Sequence, residues 1–190
     1  MKVVAFNGSP RKNGNTTIAI QTVFEELEAR NIKTEMEYLC DYKIQGCIAC
    51  MGCAKNKNEK CVLNDDFNPL FAKLKDADGI LIGSPVYVSN MTGITKCFIE
   101  RAGLVAKVNG PILAHKPGAS VVAVRRAGAC TTFAAINYFF LISQMIVPGS
   151  SYWNLGVGLK PGDIQQDLEG LETFRNLGKN MAWLLEKIHQ

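Results

Sequence analysis

Histidine is nearly absent from this chain, at two residues in 190, and the two, His115 and His189, stand far apart. That scarcity removes a His-Glu-x-x-His metal site, and no Ser-His-Asp arrangement is evident. Long hydrophobic runs are missing as well: the longest, near Phe139 to Val147, is broken by Ser143 and Gln144. It falls well short of the roughly 20 apolar residues a membrane-spanning helix needs. Met1 to Phe6 runs straight into a strand-like pattern, without the three-part layout of a secretory signal. Neither sign of charge dominates, with 21 basic and 17 acidic residues giving +4. The basic residues form no aromatic-laced stripe, so a nucleic-acid partner is not expected. These absences together predict a soluble, cytoplasmic protein with no membrane or nucleic-acid partner.

What the chain does contain is enough apolar material for a core. Hydrophobic residues make up 47% and charged residues 20%, and 190 residues suit a single domain over 1–190. Seven cysteines are present. An odd number without a secretory signal does not suggest a disulfide framework. Four of them, Cys47, Cys50, Cys53 and Cys61, fall within fifteen residues, in a cysteine-rich loop at about 43–62.

Strand-like and helix-like segments alternate along the whole chain. Lys2–Phe6, Thr34–Leu39, Gly79–Gly83, Ser120–Val124 and a short run near Met145–Val147 read as strands. Helical spacing appears from Asn15 (Ile20, Val23, Phe24, Leu27), after Asp65-Asp66 (Phe67, Leu70, Phe71, Leu74), over Thr92–Ala106, over Thr131 to about Ser143, and in a closing helix carrying Leu168 to Ile188. Asp65-Asp66 would cap the second of these. Strict alternation argues for a parallel sheet covered on both faces, a three-layer α/β sandwich with strand order 2-1-3-4-5. Ligands of such sheets sit at the C-terminal strand ends where the winding reverses. The loops to inspect are therefore Asn7–Thr17, Ser84–Thr92 and Arg125–Thr131.

The first loop, Gly8-Ser9-Pro10-Arg11-Lys12-Asn13-Gly14-Asn15-Thr16-Thr17, delivers backbone N–H groups, hydroxyls and a guanidinium to a helix start. That is chemistry for a terminal phosphate. Five residues separate the glycines and Asn15-Thr16 stands where Lys-Ser/Thr would be needed, so it is not a triphosphate-hydrolysing loop. The second offers a stiff Pro85 and the aromatic face of Tyr87. The third carries Arg125 and Arg126, suited either to bordering a ligand or to solvated capping of a strand end.

Gly-Ser-Pro-Arg-x-x-Gly-Asn-Thr, followed later by Ala77-Asp78-Gly79-Ile80 and Gly83-Ser84-Pro85-Val86-Tyr87, resembles the signatures of flavodoxin-like, NADPH-dependent FMN reductases. The resemblance implies an FMN whose phosphate contacts Ser9, Arg11, Asn15, Thr16 and Thr17. It implies an isoalloxazine ring against Pro85, Val86, Tyr87, Val88, Ser89 and Asn90.

Cys47, Cys50, Cys53 and Cys61 form a C-x2-C-x2-C-x7-C run, with Gly46 and Gly52 expected to let the chain wrap. Thiolates spaced in this way suit a cubane cluster. Zinc, which more often uses two separated pairs, and free redox thiols are the alternatives. Lys55, Lys57 and Lys60 would offset the negative charge. Within the FMN reductases the run is similar to that of the iron–sulfur flavoproteins, which implies a [4Fe–4S] cluster near the flavin at one sheet edge. Cys40, Cys97 and Cys130 read as packing residues, and Trp153 as buried.

The reading is an FMN-dependent oxidoreductase that passes electrons between a [4Fe–4S] cluster and FMN, with ferredoxin or NAD(P)H as donor. A clusterless NAD(P)H-dependent FMN or quinone reductase is one alternative, and a non-enzymatic flavin electron carrier another. The apolar Phe133, Ile136, Tyr138, Phe139, Phe140 and Leu141 exceed one helix face, and family members are typically dimers or tetramers, so a homodimer or homotetramer is expected.

Overall fold

Side chains alternate across a strand, so a strand apolar at every position must be covered on both faces. In the computed structural model, which describes residues 1–190, the central strands do this. Five strands, β1 (Lys2–Asn7), β2 (Lys33–Tyr38), β3 (Gly79–Pro85), β4 (Gly118–Val124) and β5 (Leu155–Val157), form one parallel sheet in the order 2-1-3-4-5. The helices are α1 (Asn15–Glu28), α2 (Gly52–Asn56), α3 (Phe67–Asp76), α4 (Gly93–Asn109), α5 (Ala129–Ile142) and α6 (Leu168–Ile188). Val3, Ala5, Leu81, Val121 and Ala123 pack with α1 and α6 on one face. Val4, Phe6, Ile80 and Ile82 pack with α3, α4 and α5 on the other. None of the helices is long and apolar enough to cross a membrane.

The last strand is not where the sequence pattern puts it. Near Met145–Val147 only Ile146 pairs with the sheet, through a single bridge to Pro117. Pro148 then follows, lacking the N–H that a ladder requires. The chain loops out and returns as Leu155–Val157 beside Val122–Val124. Trp153 therefore precedes β5 rather than following it, and it is exposed, with its ring 4.7 Å from that of Tyr152.

The cysteine loop also departs from expectation. It leaves the C-terminal edge after β2 but then runs back along α4. The N–H of Cys47 donates to Glu100 Oε1, the Lys57 ammonium donates to Val108 O, and the N–H of Glu59 donates to Asn109 Oδ1. Its wrap is made by left-handed backbone at Ala49 and Met51, with φ of 54° and 55°. Gly46 and Gly52 serve close approach instead: a Cβ at 52 would lie 2.6 Å from Val62 Cγ1. Asp65 and Asp66 do not provide a simple helix cap. Asp66 Oδ2 accepts from the N–H of Lys43, and Asp65 accepts from the N–H groups of Gln45 and Phe67. Both carboxylates staple the cysteine loop to the start of α3.

Candidate flavin cleft and cysteine cavity

The turn from β1 into α1 is held by its own polar groups. Asn7 Oδ1 accepts from the N–H of Ser9, and Ser9 Oγ accepts from the N–H of Arg11. The Thr17 hydroxyl donates to Lys12 O and accepts from Asn7 Nδ2. Thr17 thus shapes the loop from beneath and does not line the cleft above it. Gly8 is pinned from the side, where Thr92 Oγ1 donates to its carbonyl and Thr95 Oγ1 stands where a Cβ would go.

The resulting cleft has a volume of about 210 Å³ and is bordered by Ser9, Arg11, Asn15 and Thr16 at one end and by Pro85, Val86 and Tyr87 at the other. The N–H groups of Asn15 and Thr16 make no hydrogen bond within the chain, as is usual for the first turn of a helix. No carboxylate lines the cleft, and two guanidiniums, Arg11 and Arg125, do. Free amides, a hydroxyl and two cations without a competing anion fit a phosphate monoester.

The fourth wall is Gly158, Leu159 and Pro161, which the sequence reading missed because it ended the sheet too early. The Gly-Leu-Lys-Pro-Gly turn signal at 158–162 marks this segment. Asn15 ties it down: Nδ2 donates to Lys160 O, and Oδ1 accepts from the N–H of Gly162. A Cβ on Gly158 would come within 2.7 Å of Asn15 Nδ2. Asn15 therefore acts as the clamp between two walls as well as bordering the cleft. Arg126 is exposed and is not among the lining residues.

Val88, Ser89 and Asn90 do not line the cleft either. They form a tight turn beside it, with reciprocal hydrogen bonds between the backbones of Tyr87 and Asn90. Val88 and Ser89 both have positive φ, at 50° and 58°. This is the backbone of a two-residue I′ hairpin turn, which favours Asn and Gly and penalises a β-branched residue. Val88 is fully exposed, so it gains no packing in return. Val88→Asn is therefore expected to raise stability by about 1 kcal/mol, read as a higher urea midpoint of the flavin-free protein.

The second site lies along α4. Cys47, Cys50, Cys53 and Cys61 all border one small apolar cavity of about 10 Å³, together with Arg101, Leu104 and Val105. Cys47 and Cys50 are exposed, Cys61 is half-buried and Cys53 is buried; burial pushes the Cys53 thiol up from its ordinary pKa. The sulfurs border the cavity without closing into a ligating group. Four thiols around one pocket are nonetheless the right donor set for an iron–sulfur cluster held by four thiolates. The lysines expected to balance such a site stay outside it: Lys55 and Lys60 are exposed, and Lys57 is bound to Val108 O. The cation in the cavity wall is Arg101, which had a visible sequence signal. It shares a helical face with the apolar Phe98, Leu104 and Val105.

The remaining cysteines are not uniformly packing residues. Cys40 and Cys130 are exposed, and only Cys97 is partly covered. Nor do the two sites sit side by side. Arg101 to Val105 lie eight to twelve residues along α4 from its first residue, Gly93, which is about 12–18 Å of helix. The flavin cleft is at the helix's N-terminal side, where Thr92 meets Gly8.

Comparison with known proteins identifies the family. Residues 1–160 match the family model of NADPH-dependent FMN reductase. An iron–sulfur flavoprotein of Methanocaldococcus jannaschii is 38% identical, over 99% of this chain and 99% of its own. An iron–sulfur flavoprotein of Methanosarcina thermophila is 30% identical over 100% of this chain and 98% of its own. Among solved structures, an archaeal flavodoxin has the same fold, with a TM-score of 0.64 and 18% identity over 98% of this chain and 99% of that one. RosB, solved with a bound riboflavin-5′-phosphate derivative, has a TM-score of 0.81 and 20% identity over 100% of this chain and 80% of that one. The chain belongs to the family of NADPH-dependent FMN reductases, which are flavin-dependent oxidoreductases, and it falls among the family's iron–sulfur flavoproteins.

Proposed function

We propose that this chain is a single-domain FMN-dependent oxidoreductase that carries a [4Fe–4S] cluster and passes electrons between cluster and flavin. The observation that carries the proposal is the coexistence, on one chain, of a carboxylate-free phosphate cleft and a cavity bordered by four thiols. In this reading Ser9, Arg11, Thr16 and the N–H groups of Asn15 and Thr16 hold the FMN phosphate, and Asn15 and Thr17 keep the loop in shape. Pro85, Val86 and Tyr87 orient the ring, while the turn at Val88 to Asn90 forms the rim. Cys47, Cys50, Cys53 and Cys61 hold the cluster. When bound, the cluster supplies one-electron chemistry and the flavin two-electron chemistry. No side chain is required as a general base, in keeping with a cleft free of carboxylates and histidines.

The donor class is a ferredoxin or NAD(P)H, with Arg125 at the cleft mouth as the group available to a nicotinamide nucleotide's phosphates. A cytoplasmic location follows from that partner class. The outward-facing Tyr138, Leu141 and Ile142 on α5, all more than half exposed, support a homodimer or homotetramer, since apolar patches of this kind mark contact surfaces.

Arg11→Ala tests the phosphate assignment. It removes one charge-assisted hydrogen bond and is expected to weaken FMN binding about tenfold, with iron content unchanged. An unaltered FMN titration would place the phosphate elsewhere. The small cavity and unconverged sulfurs favour one second reading, an NAD(P)H-dependent FMN or quinone reductase without a working cluster. Rapid bleaching of bound flavin by NADPH in protein that takes up no iron would select it.

A further inference from the structure

Arg101 has the largest of the fully buried side chains, at 1% exposure. A cation in that position is costly unless it is paired and hydrogen-bonded. Asp65 meets most of the cost with two bonds, one from Nη2 at 3.0 Å and one from Nη1. Nη1 also donates to Gln45 O, and the guanidinium lies over the Phe67 ring at 4.3 Å. One donor remains. Nε is buried and has no partner, although the side chain forms part of the wall around all four cysteines. Held by two bonds to one carboxylate, the guanidinium stays cationic.

An ion pair that served only to tie α4 to the cysteine loop would not need a guanidinium whose spare N–H is left unpaired beside four thiols. Hydrogen bonds and charge near the sulfurs are principal levers on the potential of an iron–sulfur cluster. We infer that Arg101 is a positioning and potential-setting residue for the cluster. Its unpaired Nε–H is the donor available to the sulfur side of the site, and its charge favours the reduced state. The inference rests on the cluster reading above and goes beyond it, because it assigns the site's electrostatic partner. Reduction here is uptake of one electron from an external one-electron reductant, which adds one negative charge to the thiolate-bound cluster. A fixed cation stabilises that extra charge, and Asp65 opposes it.

The test compares anaerobically reconstituted wild type, Arg101→Met and Asp65→Asn in a dithionite titration followed by visible absorbance and electron paramagnetic resonance. Iron, sulfide and FMN are assayed in parallel. Arg101→Met keeps the side-chain volume and removes the charge and Nε. Its ratio of reduced to oxidised cluster at fixed ambient potential is expected to fall about tenfold, a midpoint lower by about 59 mV, while the flavin midpoint stays in place. Asp65→Asn retains Arg101 and removes the opposing charge, so its cluster midpoint is expected to rise. A purely structural pair would shift both variants in the same direction, or neither, and either result overturns the inference. Should Arg101→Met fail to fold or load, Asp65→Asn decides alone: a rise supports the assignment and no rise refutes it. Wild type that takes up no iron and sulfide would instead overturn the cluster reading, and the role of Arg101 with it.

Discussion

Cys50→Ala is expected to empty the chain of cluster iron and leave its FMN content unchanged. Cys50 is exposed, so truncation removes no buried packing and creates no cavity. Surface changes of this sort usually alter stability by less than about 0.5 kcal/mol, and the metal-free fold should melt as wild type does. Removing one of four thiolates, by contrast, opens the coordination of a cluster that needs all of them. Iron after anaerobic reconstitution should fall from about four per chain to less than about one, and the cluster's visible absorbance should go with it. The flavin cleft shares no lining residue with the cysteine cavity, so flavin fluorescence and FMN stoichiometry should be those of wild type. Cys53 is a poorer choice because it is buried against the core, where truncation confounds packing with ligation. Full iron retention in Cys50→Ala would remove Cys50 from the ligand set.

Gly8→Ala is expected to cost about 2–3 kcal/mol of stability and to weaken FMN binding by at least about tenfold. The added Cβ would sit 1.8 Å from Thr95 Oγ1 and 3.0 Å from Thr92 Oγ1. Both threonines are buried and hydrogen-bonded to each other at 2.8 Å, so neither can swing aside into solvent. Either the start of α4 or the phosphate loop must move. The loop is fixed by short-range bonds that begin one residue later, at the N–H of Ser9, so the displacement reaches the residues assigned to the phosphate. Thr95→Ala, which removes the clashing hydroxyl, should restore part of both losses. The pair is therefore expected to show a favourable coupling in a double-mutant cycle of urea unfolding and FMN titration. Strictly additive losses would mean that the clash is relieved elsewhere.

The parallel sheet and its strand order were legible because buried strands and amphipathic helices alternate, a pattern that admits few topologies. The cleft lies at the strand ends where that topology puts it. Its fourth wall was not legible. The apolar Met145–Val147 imitates a strand, whereas the true β5 is three residues with a glycine in the middle, too short for any periodicity to show. The error hid Gly158 to Pro161 from the site. Thr17 was assigned to the phosphate from its place in the motif, yet its hydroxyl is spent on Lys12 and Asn7, a local competition that residue types alone do not reveal. The four cysteines of the C-x2-C-x2-C-x7-C run border one cavity. Its placement at the flavin edge did not hold, because the loop's direction is set by long-range bonds to Glu100, Val108 and Asn109. Arg101 was overlooked for a different reason. An arginine within a helix reads as a solvated charge unless its neighbours at three- and four-residue spacing are inspected, and here they are Cys97, Phe98, Leu104 and Val105.

The separation of the two sites sharpens the account. Cleft and cavity flank one sheet and share no lining residue, so each can be altered without disturbing the other. The most direct test of the central claim is anaerobic reconstitution of the wild-type chain with iron, sulfide and FMN, followed by quantification of all three in one sample. The expected result is one FMN with about four irons and about four sulfides per chain, and overlapping flavin and cluster absorbance. FMN bound at full stoichiometry with no iron or sulfide retained would contradict it.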